Sequence, residues 1–77
     1  NPFNPTTSIK YSVPSSEHVS LKVFDILGRE IAVLVNEQKS AGIYTINFDA
    51  SDLSSGVYFY RLNSGNNIQI KKMLLVK

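Results

Sequence analysis

The feature that most constrains how this chain can fold is the alternation of apolar and polar residues in three short segments. The segments are TSIKYSV, HVSLKVF and IYTINFD. Successive side chains of a β-strand point to opposite faces, so a period of two predicts strands that bury one face. The apolar residues that this pattern places on buried faces are Ile9, Tyr11, Val13, Val19, Leu21, Val23, Tyr44, Ile46 and Phe48.

Two more segments continue this pattern toward the end of the chain. In VYFYRLN, one face is formed by Tyr58, Tyr60 and Leu62, and we predict that this wholly apolar face is buried. A last strand is predicted from about residue 68 to residue 76, after the turn-forming stretch SGNN.

The segment EIAVLV is the least regular of the predicted strands. Its β-branched residues favour a strand, and Gly28 just before it suits a tight turn. The same region also fits the apolar stripe of a helix, formed by Leu27, Ile31, Leu34 and Val35.

Turn-forming residues separate the predicted strands. Gly56 ends the stretch ASDLSSG and precedes the most aromatic strand, so we expect it to have a positive φ or to leave room for neighbouring backbone. Six short strands joined by turns predict an all-β, antiparallel sandwich of about six to seven strands, over residues 8–77.

The first seven residues are predicted to form an extended leader rather than a central strand. The stretch NPFNPTT contains two prolines, which disrupt the hydrogen bonding of a sheet interior. We expect Phe3 to anchor this leader against the sandwich. The sequence begins at Asn1 and its only methionine is Met73, which predicts a piece of a longer protein.

The residue types needed for common catalytic and metal sites are scarce. The chain has no cysteine, and its one histidine, His18, falls on the polar face of a predicted strand. Asp49, Ser51 and Asp52 suit turn hydrogen bonds better than a calcium loop, which needs further carboxylates. No nucleophile elbow is present. The sequence therefore predicts a domain without catalytic, cofactor-binding or metal-binding residues.

Basic residues are concentrated at the end of the chain. Residues 1–52 contain four lysines and arginines against six acids, whereas residues 53–77 contain four and no acid. A basic end favours an acidic partner or surface. The simpler alternative is an edge strand whose lysines are solvated and discourage aggregation.

The last strand has apolar residues on both faces, so its orientation is ambiguous. If the even-numbered face enters the core, Met73 and Leu75 are exposed between Lys71 and Lys77, as a docking patch. If a β-bulge lies near Lys71 and Lys72, Met73 and Leu75 turn inward as well as the even-numbered residues. The even-numbered residues of the strand are Ile68, Ile70, Lys72, Leu74 and Val76.

Four segments in this order carry a resemblance: NPFNPTTSIKYSVP, VSLKVFDILGREIAVLV, SAGIYTINFDASDLSSGVYFYRL and KKMLLVK. Together they resemble the type A C-terminal sorting domain of type IX secretion cargo, the Por-system signal of Bacteroidetes and related bacteria. The resemblance spans essentially the whole chain. The residues that match the family's motifs are Asn1-Pro2, Asn4-Pro5, Gly56-Val57-Tyr58, Lys71, Lys72 and Lys77.

This resemblance implies an immunoglobulin-like sandwich that catalyses nothing itself and is joined to the C-terminus of an exported cargo protein. It implies passage through the periplasm, recognition by the outer-membrane translocon, removal by a sortase-like peptidase, and delivery of the cargo to the cell surface or medium. It implies no cofactor, nucleic acid or membrane span. The residues expected to be recognised by the translocon are Lys71, Lys72, Met73, Leu75, Val76 and Lys77.

Two other functions are compatible with the same residues. One is a structural or carbohydrate-binding accessory module of an extracellular enzyme, which would need an exposed aromatic platform. The other is a scaffold domain like those of flagellar hook-capping proteins, which the stretch VFDILGR resembles. A scaffold domain would present a self-assembling surface.

Overall fold

The computed structural model describes residues 6–76, and these form an all-β structure of six strands. Asn1, Pro2, Phe3 and Lys77 lie outside the described residues, so the anchoring of Phe3 stays a prediction. The first strand begins at Thr6, within the stretch predicted as a leader. The strands are β1 (Thr6–Val13), β2 (Glu17–Phe24), β3 (Glu30–Lys39), β4 (Gly42–Asp49), β5 (Gly56–Ser64) and β6 (Asn67–Leu75).

The strands form two antiparallel sheets that pack into the predicted sandwich. One sheet has two strands in the order β1-β4, and the other has four in the order β3-β2-β5-β6. Leu21 and Tyr58 of the larger sheet belong to the same buried cluster as Ile9 and Phe48 of the smaller sheet. The core therefore lies between the sheets, and β6 forms one edge of the larger sheet.

The alternating patterns correctly predict which side chains point into this core. Val19, Leu21 and Val23 of the central strand β2 have no exposed surface. Every side chain of β1, β4 and β5 that the alternation predicts to point inward is buried or packs against the core. Those residues are Ile9, Tyr11, Val13, Tyr44, Ile46, Phe48, Tyr58, Tyr60 and Leu62.

Strand β3 shows why its sequence also resembled a helix. Its pairing with β2 shifts register twice, once beside Leu21 and Lys22 and once beside Val23 and Phe24. Each shift lets two consecutive residues of β3 turn toward the core, which a regular strand cannot do. The inward pairs are Ile31 with Ala32 and Leu34 with Val35, all in contact with or part of the core.

Strand β6 does not adopt either orientation predicted for it. It pairs with β5 from Asn67 to Leu75 without a register shift, so there is no bulge near Lys71 and Lys72. The odd-numbered face nevertheless points inward. Met73 is the pairing partner of the buried Tyr58, and Met73 and Leu75 pack against the core. The exposed apolar residues of this segment are Ile68, Ile70, Leu74 and Val76.

The sequence S-x-G-x-Y occurs at the start of both β4 and β5 and forms the same local structure twice. The Tyr44 hydroxyl donates to the Ser40 carbonyl at 2.6 Å, and the Tyr58 hydroxyl donates to the Ser54 carbonyl at 2.7 Å. Each bond ties the residues before the strand to a tyrosine that packs in the core. Gly56, at the centre of the second segment, has φ 152°, which confirms the positive φ expected there.

Replacing Gly56 with valine should lower the free energy of unfolding by about 1 kcal/mol or more, because branched residues rarely adopt such a φ. A Cβ atom built at Gly56 meets no heavy atom within 4 Å, so the cost comes from backbone strain alone. Thermal unfolding of Gly56→Val should be compared with Thr45→Val, an exposed control on β4. Equal melting temperatures for the two variants would contradict this role.

Candidate docking face of the four-stranded sheet

The face of the four-stranded sheet that points away from β1 and β4 carries an unusual mixture of aromatic, aliphatic and basic residues. The strand register places these residues in rows that cross the sheet, and residues paired in a row have neighbouring side chains. One row contains Val33, Lys22, Arg61 and Ile70, and the next contains Glu30, Phe24, Phe59 and Lys72. Beyond these rows, Val57 pairs with Leu74.

We call the part of this surface formed by β5, β6 and the end of β2 the Arg61 face, defined by Phe24, Phe59, Arg61, Ile70, Lys72 and Leu74. Its aliphatic residues are largely exposed: Ile70 is 64% and Leu74 is 70% accessible to solvent. Phe24 and Phe59 are half-buried and form its floor. A groove lined by Phe24, Phe59, Arg61 and Ile70 continues to Ile26 in the β2–β3 turn.

The two basic groups of this face, Arg61 and Lys72, have no acidic partner within the described residues. The Arg61 guanidinium lies over the Phe24 ring, 4.9 Å from its centroid, which fixes its position by a cation–π contact. Lys72 is paired with Phe59 in the sheet. Within residues 6–76, neither Arg61 nor Lys72 makes an ion pair, whereas Lys22 is 3.4 Å from Glu30.

The recognition residues predicted from the sequence divide between the two sides of β6. Lys72 and Val76 are exposed, and Lys71 is exposed although its pairing with Tyr60 places it on the inner side. Met73 and Leu75 are half-buried against the core, so they do not form an exposed patch. Ile70 and Leu74 are exposed, although the even-numbered face of β6 is predicted from the sequence to enter the core. Arg61 lies on the outer side of β5, as its sequence position predicts.

The β2–β3 turn beside the groove is held by one carboxylate. Asp25 Oδ1 accepts hydrogen bonds from the backbone N–H groups of Leu27 and Arg29, both at 2.9 Å. Asp25 Oδ2 accepts a bond from Arg29 Nε at 2.7 Å. The Gly28 N–H donates to the Asp25 carbonyl, and Gly28 has φ 85°, as expected for a glycine in a tight turn.

These bonds make the turn sensitive to acid. The hydrogen bond from the backbone N–H of Arg29 is the largest effect on the pKa of Asp25 and lowers it. Burial opposes this effect, but the Arg29 side chain and the Leu27 N–H lower the pKa further, so it lies below its ordinary value. A lowered folded-state pKa adds stability above the unfolded pKa, about 3.9, and that stability is lost as pH falls through the folded value.

Asp25→Asn should therefore lower the melting temperature at neutral pH, and the difference from the natural sequence should shrink below about pH 4. Melting temperatures of both proteins measured from pH 7 to pH 2 test this. Asp52→Asn, an exposed residue in the β4–β5 connection, is the control. A difference for Asp25→Asn that stays constant across this range would contradict the assigned role.

The tyrosines are used inside the sandwich or at its rim. The Tyr11 and Tyr44 rings stack with centroids 5.5 Å apart, and Lys39 Nζ lies 4.9 Å from the Tyr44 centroid. Burial raises the pKa of Tyr11. A hydrogen bond from Lys39 to the Glu37 carboxylate raises the pKa of Lys39. These contacts join β3 to the smaller sheet.

His18, Asp49 and Ser51, which were weighed as catalytic or metal-binding candidates, make structural hydrogen bonds. His18 Nε2 lies 2.7 Å from Asn36 Oδ1 on the exposed outer face. Asp49 Oδ1 accepts a bond from the Ser51 N–H, the turn hydrogen bond expected there. Residues 6–76 contain no group of three or more His, Cys, Asp or Glu side chains that would hold a metal ion. The same residues contain no helix with the length and hydrophobicity of a membrane span.

A family model described as a secretion system C-terminal sorting domain matches residues 1–77. No curated protein and no solved structure matches this chain.

Proposed function

The chain belongs to the family of C-terminal sorting domains of type IX secretion, and we propose that it directs a cargo protein joined before residue 1 through the outer-membrane translocon. The observation that carries this proposal is the family match, which covers every residue of the chain. The family is a non-catalytic sorting signal, and membership implies contact with the secretion system, an upstream cargo, and export to the cell surface or extracellular space.

The finer steps of the proposal follow from the same resemblance. The domain passes through the periplasm with its cargo and is recognised there by the translocon. A sortase-like peptidase then removes it at a site before Asn1. The catalytic work belongs to that peptidase, and the domain contributes a folded surface.

We propose that β6 and the residues after it are the element that the translocon recognises. Lys71 and Lys72 are exposed on this edge strand and Val76 is exposed directly after it. Lys77 follows in the sequence and adds a further basic residue. Met73 and Leu75 contribute from the inner side, where they hold β6 against the core. The inward packing of Tyr58 and Tyr60 gives little support to a carbohydrate-binding module, which needs exposed aromatic rings.

A reporter experiment tests the proposal. A reporter with an inner-membrane export signal is joined to residues 1–77 and produced in a bacterium that has a type IX system. Reporter at the surface and in the medium is compared with reporter in the periplasm, with and without the domain. We expect surface delivery only with the domain and only in cells with an intact translocon. Periplasmic retention of the complete fusion in these cells would overturn the proposal.

A further inference from the structure

We infer that the Arg61 face docks against a protein surface of the secretion machinery that carries carboxylates around an apolar centre. This inference rests on the proposed function and names the surface that the function uses. It differs from the expectation drawn from the sequence, which placed the patch on Met73 and Leu75.

The Arg61 face exposes a continuous apolar surface. Ile70 and Leu74 are large aliphatic residues on one edge strand, and each exposes about two thirds of its surface. They adjoin the half-buried Phe59 and Val57 of β5, so the apolar surface is continuous across two strands. Contiguous exposed apolar surface next to aromatic residues is typical of the centre of a protein–protein interface.

The Arg61 face also carries positive charge. Arg61 lies between Lys22 and Ile70 in its row, and Lys72 lies beside Phe59. The acids nearest to these groups in the sheet already have partners: Glu30 is paired with Lys22, and Asp25 with Arg29. The two positive charges of the Arg61 face, Arg61 and Lys72, therefore make no ion pair within residues 6–76. They would be desolvated at a cost on binding unless the partner supplies carboxylates.

Arg61 and the apolar residues around it determine the chemistry of a matching partner. Arginine binds carboxylates through a planar pair of N–H donors, and Arg61 is held in place by the Phe24 ring. Arginine and aromatic residues are also the types most enriched where interfaces derive their affinity. A carboxylate over Arg61 with apolar side chains over Ile70 and Leu74 would match each feature of the face.

A second copy of this chain matches the face poorly. Pairing two copies through this face about a twofold axis would bring the Arg61 and Lys72 side chains of one copy toward those of the other. Like charges close together in an interface are unfavourable, and the face supplies no uncompensated acid to relieve them.

The decisive test compares two isoleucines of similar exposure on opposite sheets. Ile70 lies on the Arg61 face, and Ile43, 69% exposed, lies on β4 of the smaller sheet. In the reporter fusion, Ile70→Asp should lower the ratio of surface to periplasmic reporter about tenfold, the effect of losing one strong interface contact. Ile43→Asp should leave the ratio unchanged. Leu74→Ser and Arg61→Glu should also lower it, with Lys10→Glu, an exposed charge on β1, as the control.

The outcomes separate this inference from the proposed function. Equal export of Ile70→Asp, Leu74→Ser, Arg61→Glu and their controls, while removal of the whole domain abolishes export, would overturn the docking face alone. Export that does not require the domain would overturn the proposed function. Melting temperatures of the purified fusions must match between each variant and its control, and an export loss that tracks lost stability would also overturn the docking face.

Two further measurements on the purified fusion examine other occupants. Vesicles of phosphatidylglycerol and phosphatidylcholine that bind the natural fusion but not Ile70→Asp would identify a membrane as the occupant and overturn the inference. Light scattering that shows a dimer for the natural fusion and a monomer for Ile70→Asp would identify a second copy of the chain as the occupant and would also overturn the inference. We expect no vesicle binding and no change of mass.

Discussion

Replacing Leu21 with alanine is expected to lower the free energy of unfolding by about 2–5 kcal/mol, the usual cost of truncating a buried leucine. Leu21 has no exposed surface and lies on β2, between Val35 of β3 and Leu62 of β5. Both neighbouring strands are fixed to β2 by backbone hydrogen bonds, so the cavity left by the side chain cannot collapse completely.

This loss is a large share of what a domain of this size has. At typical values per residue, a chain of 77 residues has roughly 4–12 kcal/mol of total stability. Urea unfolding of Leu21→Ala should be compared with Leu27→Ala, whose side chain is 75% exposed in the β2–β3 turn. Similar losses in the two variants would show that Leu21 does not have the central place assigned to it.

The sequence predicted most of the sandwich because four strands bury only one face. Where one face is apolar and the other polar, as with Val19, Leu21 and Val23, a shift by one residue would expose the whole set. The alternation therefore determines both the strand and its orientation. The same reasoning correctly predicts that Tyr58 and Leu62 of β5 point inward.

Strand β3 was harder to predict because its inward residues come in adjacent pairs. Ile31 with Ala32 and Leu34 with Val35 have the spacing of a helix, and only the two register shifts against β2 allow them in a strand. Register shifts depend on the partner strand, so periodicity within the segment does not reveal them. The β-branched residues were the better indicator.

The orientation of β6 was available in the sequence but in a different signal. Counting apolar residues favoured its even-numbered face. The connection to β5 is instead decisive: Ser64 pairs with Asn67, so only Gly65 and Asn66 lie in the turn. A two-residue hairpin fixes the register, and continuing it places Met73 opposite Tyr58 and Lys72 opposite Phe59. The inward Tyr58 therefore brings Met73 inward.

The same geometry explains why the docking face was missed. Arg61 follows Tyr60 on β5, and alternation correctly predicts that it lies on the outer side of that strand. Its exposed apolar neighbour is Ile70, which the sequence pattern of β6 wrongly predicts to be buried. The neighbour that pairs with Arg61 is defined by the hairpin and not by local sequence. The proposed docking face is therefore formed by β2, β5 and β6 together, which alternation within one strand cannot indicate.

Substitutions on the two faces of β6 should have different effects, because the inner face contributes to folding and the outer face to the proposed recognition. Met73→Ser with Leu75→Ser should lower the free energy of unfolding by about 1.5–3 kcal/mol, because both side chains are half-buried in the core. Ile70→Ser with Leu74→Ser removes the same number of large apolar side chains from the exposed face of the same strand. This outer pair should change stability by less than about 0.5 kcal/mol.

Export should respond in the opposite way. For the inner pair, the ratio of surface to periplasmic reporter should fall only as far as lost stability explains, and it should recover at a lower temperature that restores folding. For the outer pair, the ratio should fall while the melting temperature stays near that of the natural domain. Each double variant serves as the control for the other, because both alter β6 at two positions. An inner pair that melts normally would contradict the packing of Met73 and Leu75, and an outer pair that is exported normally would leave β6 with a structural role alone.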